Sequence, residues 1–115
     1  MDVKSREEII KFAQKLNSTN LSPLRSGNIS LKAQNNNEEG FLITPSGKKY
    51  DSLKADDIVF VSLEGRYDEK GLQPSSEWRF HKDIYLKKAD AKAVVHAHSP
   101  HATAVSAHNK DIPAF

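Results

Sequence analysis

The chain has 115 residues, 17 basic and 15 acidic, with 28% charged and 37% hydrophobic residues and no cysteine. That length allows one domain, and no apolar run approaches the roughly 20 residues of a membrane-spanning helix. The net charge of +2 is interspersed along the chain, without the basic stripe of a nucleic-acid binder. Without thiols, disulfides are excluded and any metal must be held by His, Asp or Glu. The missing cysteine and the polar Met1–Glu8 stretch, which has no signal-peptide core behind it, fit a cytoplasmic protein.

Ser5–Asn17 has Ile9, Ala13 and Leu16 at helical spacing, widened by Ile10 and Phe12, with Ser5 as N-cap and Glu7 and Glu8 in the first turn. Pro23 breaks the chain. Asn28–Lys32 and Phe41–Thr44 read as two strands of a hairpin around a polar turn, Gln34–Gly40. Pro45-Ser46-Gly47 is a tight turn, Ile58–Ser62 a third strand and Leu63–Leu72 a loop. Pro74-Ser75-Ser76 announces a helix over Glu77–Lys88, in which Phe80/Ile84 and His81/Tyr85 are i,i+4 pairs. Ala93–His98 follows as a strand, and Ser99-Pro100 starts a last helix to about Asn109. The order predicts a mixed α/β fold, a mixed or antiparallel sheet flanked by helices, and Phe115 is an abrupt end for it.

His96 and His98 sit two apart on the last strand, so strand alternation turns both imidazoles to one face, where two neutral rings can reach one divalent cation. The plain alternative is two histidines packed or hydrogen-bonded at a strand end. A zinc site needs a third protein ligand, but nothing in the spacing of His101 and His108 on the helix after Pro100 aims them at the pair and His81 lies on another helix, so each reads as structural or on the surface rather than as a ligand. Glu77 opens a helix, where it suits the helix dipole; beside a metal it would also serve as a base that removes an acidified C–H proton. Ser26-Gly27-Asn28, Ser46-Gly47 and Ser75-Ser76 are three small polar turns. Each is ordinary turn chemistry alone; converging, they would cradle a phosphate with backbone N–H groups, hydroxyls and an amide.

Four blocks in this order, Ser26-Gly27-Asn28-Ile29-Ser30, Leu42-Ile43-Thr44-Pro45-Ser46-Gly47, Pro74-Ser75-Ser76-Glu77-Trp78-Arg79-Phe80-His81 and Ala93-Val94-Val95-His96-Ala97-His98, resemble the class II aldolase/adducin family over essentially the whole chain. The resemblance implies that residues 1–115 are the N-terminal portion of one such domain. It makes His96 and His98 two of three zinc ligands, with the third histidine, and a tyrosine acid, expected beyond residue 115. It makes Glu77 the catalytic acid/base and places Asn28, Ser46, Gly47, Ser75 and Ser76 on the substrate phosphate, with Gly27 shaping its loop. The implied reaction is reversible, zinc-dependent cleavage of a ketose 1-phosphate such as L-fuculose 1-phosphate into dihydroxyacetone phosphate and an aldehyde. One Zn2+ per subunit in a homotetramer is implied, with no nucleic acid or membrane partner. The same scaffold also carries pentulose-5-phosphate 4-epimerases, methylthioribulose-phosphate dehydratases and the non-catalytic interaction domains of adducins.

Overall fold

The computed structural model describes residues 3–18 and 27–96. Ser26, Pro23, His98, His101, His108 and the helix expected after Pro100 lie outside the described residues.

Helix α1 spans Val3–Ser18. Ile9, Ala13 and Leu16 are buried, as their spacing requires, and Arg6 extends the same stripe; Phe12, expected to widen it, is exposed. Because the helix starts at Val3, Ser5 lies within it rather than capping it, and its first turn contains no acid.

Strands β1 (Asn28–Asn35) and β2 (Glu38–Ile43) form an antiparallel hairpin. The expected seven-residue turn shrinks to two residues, Asn36 and Asn37, at φ 52° and 66°. Asn tolerates that left-handed conformation, and a two-residue turn of this hand matches the twist of the strands, so pairing continues to Asn35 opposite Glu38. Two short 3₁₀ turns, Tyr50–Ser52 and Ala55–Asp57, precede β3 (Val59–Ser62). Helix α2 (Trp78–Lys87) and strand β4 (Ala93–His96) complete the described chain. The four strands lie in the order β3-β2-β1-β4, each pair antiparallel.

Side-chain alternation divides the core into two layers. On one face Ile29, Leu31, Leu42, Phe60 and Val95 pack with Ile9, Ala13 and Leu16 of α1 and with Tyr50, Leu53 and Ile58. On the other, Phe41, Ile43, Val59, Val61 and Val94 pack with Tyr85 of α2. The sheet is thus flanked by helices, as expected. The register sets Asn28 opposite His96 and Ser30 opposite Val94. Those four side chains therefore share the α2 face, and that alignment builds the site.

Candidate functional site

Gly27, Asn28, Ser46, Gly47, Ser75 and Ser76 line one open cleft of about 270 Å³, together with Pro45, Lys48, Tyr50 and Glu77. Three turns distant in sequence thus meet, and backbone bonds hold two of them together. Ser46 N–H donates to the Gln73 carbonyl (3.0 Å), Ser75 N–H donates to the Thr44 carbonyl (2.9 Å), and Pro45 bridges Pro74. The third turn is anchored by the Tyr50 hydroxyl, which donates to the Gly27 carbonyl, and by Ile29 N–H, which donates to Thr44 Oγ1 (3.3 Å). Gly47 sits at φ +74°, a conformation that disfavours any side chain, and a Cβ there would meet no atom within 4 Å. Its constraint is therefore conformational.

Glu77 occupies the N-cap position of α2, not its first turn. Neither Ser75 nor Ser76 takes that place. Ser75 instead receives Glu77 N–H on Oγ at 3.3 Å and Trp78 N–H on its carbonyl at 3.0 Å. The Glu77 side chain makes no capping bond. It turns to the sheet, where Oε2 contacts His96 Nδ1 in an ion pair if the ring is protonated. The Phe80 ring lies 5.5 Å from the His96 ring.

Beneath the cleft runs a buried polar chain. His81, expected to be structural or on the surface, is fully buried. Its Nε2 contacts Asn28 Oδ1, and its Nδ1 is 2.6 Å from Ser30 Oγ, which is 2.8 Å from the Tyr85 hydroxyl. Burial, with a smaller contribution from nearby His96, pushes the His81 pKa down to about 3, so the ring is neutral. Burial likewise raises the Tyr85 phenol, which keeps its proton.

Sequence reasoning missed Lys48 and Tyr50. Lys48 brings the cleft's one cation among the residues that line it, tethered to Asp57 at 2.7 Å. Burial alone would raise the Asp57 pKa. Hydrogen bonds from the Lys48 side chain and the Lys54 backbone, with the charges of both lysines, outweigh it and hold the carboxyl below its usual range. Lys48 directly follows Ser46-Gly47, which was the available signal; nothing in the sequence marked Tyr50.

The cleft gathers backbone N–H, hydroxyl and amide groups and one lysine, donor chemistry suited to an anion, and its Glu77 carboxylate contacts the His96 imidazole. That pair is donor chemistry zinc accepts, although a zinc site takes three protein ligands. Among the described residues no group of three His, Cys, Asp or Glu converges, and the second expected ligand, His98, lies outside them.

A family profile described as Class II Aldolase and Adducin N-terminal domain matches residues 7–115. The chain is 42% identical to the L-fuculose phosphate aldolase of Escherichia coli (strain K12) over 112 residues, 97% of this chain and 50% of that protein. It is 40% identical to a 5-methylthioribulose-1-phosphate/5-deoxyribulose-1-phosphate aldolase of Rhodospirillum rubrum, over 96% of this chain and 48% of that one. A solved L-fuculose 1-phosphate aldolase superposes with a TM-score of 0.77 at 33% identity, covering 91% of this chain and 49% of the other. The chain spans about half the length of these relatives.

Proposed function

The chain belongs to the class II aldolase and adducin family, and from that premise we propose that it carries the phosphate cradle, the acid–base carboxylate and two metal-binding imidazoles of a zinc-dependent aldolase. The substrate is a ketose 1-phosphate, cleaved reversibly into dihydroxyacetone phosphate and an aldehyde. The observation that carries this reading is the contact with His96 made by Glu77, which lines the same cleft as the Gly, Ser and Asn turns.

Asn28, Ser46, Gly47, Ser75 and Ser76 bind the phosphate through N–H, hydroxyl and amide donors, with Gly27 shaping the loop under it. A phosphate so anchored holds the rest of the substrate against Glu77, and that fixed orientation is itself a large part of catalysis. In the condensation direction Glu77 removes a proton from the hydroxymethylene carbon of dihydroxyacetone phosphate. That carbon bonds the aldehyde carbonyl carbon, and the carbonyl oxygen takes up a proton. In cleavage the hydroxyl gives up that proton, the C–C bond breaks, and Glu77 returns its proton to carbon. His96 and His98, with a third histidine expected past Phe115, would hold a Zn2+ that supplies Lewis acidity to the substrate oxygens. The enzyme would be a cytoplasmic homotetramer with one zinc per subunit.

L-Fuculose 1-phosphate is the leading substrate. A 5-deoxy- or 5-methylthio-ribulose 1-phosphate is the second reading, because identity to aldolases of the two kinds is nearly equal, 42% against 40%. Zinc uptake by the intact protein, measured by calorimetry, and dihydroxyacetone phosphate release from both substrates test the reading. Zinc-loaded wild type should turn over one of them. Glu77→Gln should lower kcat by roughly 10²-fold or more with zinc still bound. Zinc-loaded wild type that releases no dihydroxyacetone phosphate from either substrate would end the aldolase assignment.

A further inference from the structure

We propose that His81 is a positioning residue for the phosphate cradle: as its Nε2–H tautomer it donates to Asn28 Oδ1 and so turns the Asn28 NH2 group toward the cleft. The proposal deepens the phosphate-binding reading above and rests on it.

The geometry fixes which way the hydrogens run. At the inner end stands the Tyr85 hydroxyl, hydrogen-bonded to Ser30 Oγ. Tyr85 is 2% exposed, and its own O–H has Ser30 Oγ at 2.8 Å as its acceptor. Ser30, also fully buried, then gives its hydrogen to His81 Nδ1 at 2.6 Å. A neutral imidazole that accepts on Nδ1 carries its proton on Nε2, and Nε2 lies against Asn28 Oδ1. The carboxamide oxygen is thereby engaged inside the protein, and its two N–H donors are left for the cleft that Asn28 lines.

The opposite assignment is worse at both ends. With Asn28 flipped, its amide would donate to His81 Nε2, the Nδ1 proton would pass to Ser30, and Ser30 would donate to Tyr85. The buried Tyr85 O–H would lose its acceptor, and a carbonyl oxygen would face the cradle, where it repels a phosphate. The buried Tyr85 hydroxyl thus decides what chemistry the cleft presents about three side chains away.

The test has two arms on the intact protein. Nitrogen-15 NMR of the His81 ring should report the Nε2–H tautomer; the Nδ1–H tautomer would overturn the proposal. Inorganic phosphate is then titrated into wild type, His81→Phe, His81→Gln, Asn28→Ala and the His81→Phe/Asn28→Ala pair, with melting curves in parallel. Gln carries an amide N–H to about the place of Nε2 and should keep near-wild-type affinity. His81→Phe should weaken phosphate binding roughly tenfold, the size of one hydrogen bond to a charged group. The pair should bind no more weakly than Asn28→Ala alone, because the two residues act as one unit. Losses that multiply in the pair, or a His81→Gln as weak as His81→Phe in a folded protein, would remove the positioning role. Wild type that shows the Nε2–H tautomer but takes up no phosphate would instead strike the cradle reading, and this proposal with it.

Discussion

His81 shows how one buried ring couples stability to acidity. Its pKa lies near 3 rather than 6.5, chiefly through burial. Below about pH 6.5 the unfolded chain therefore binds a proton that the folded protein does not. The contribution is full above that value and is lost as pH falls toward 3, by up to ~1.4 kcal/mol per pH unit. Urea unfolding should be weaker at about pH 5 than at about pH 7 by up to ~2 kcal/mol from this group, and His81→Gln should flatten the difference. An unchanged slope in that variant would assign the acid sensitivity elsewhere. Glu77 was legible as an acid at a helix start because Ser75-Ser76-Glu77 announces one. Its contact with His96 was not, because the partner is set by the register of β1 on β4 rather than by any local signal. The same holds for His81. Its i,i+4 pairing with Tyr85 was readable, whereas its bonds to Asn28 and Ser30 cross some fifty positions of sequence.

At the scale of elements, the hairpin and the tight packing of β2 on β3 are the sharpest constraints. Asn36 and Asn37 both hold positive φ, so Asn37→Gly should keep or raise the melting temperature, while Asn37→Val should cost about 1–2 kcal/mol. Gly40 answers to space instead. A Cβ there would lie 2.2 Å from the Val61 carbonyl oxygen and 2.6 Å from the Phe60 ring, so Gly40→Ala must part the two strands. Denaturant titration should register a loss of ~3 kcal/mol or so. Element positions were largely readable: α1, β3 and α2 fall within about two residues of their hydrophobic patterns. The polar stretch 34–40 was misjudged because Gln, Glu and Gly carry little strand propensity, and only pairing with β1 makes them extended. The 3₁₀ turns escaped because single buried residues, Tyr50 and Leu53, have no period to detect.

In the whole molecule the sheet carries a separate apolar layer on each face, one closed by α1 and the other by α2. Ile9→Ala and Ile43→Ala, one in each layer and both fully buried, should each destabilise by about 2–5 kcal/mol. Being on opposite faces, they should add nearly independently, which a double-variant unfolding experiment measures. The three-layer arrangement was readable from the order of periodic segments. The strand order β3-β2-β1-β4 was not, and it is what sets β1 beside β4 and so makes Asn28 and His96 neighbours.

The seam between the loops at Pro45 and Pro74 has a bearing on how such a scaffold diversifies. Those loops are sewn together by main-chain amides and carbonyls, which every residue type but proline can supply in full. Amino acids around the rim, Gly47 and Ser75 apart, can therefore be exchanged without unpicking the seam. A lineage, or an engineer, could retune the mouth of the cleft for a different ligand while the join beneath it stays as it is.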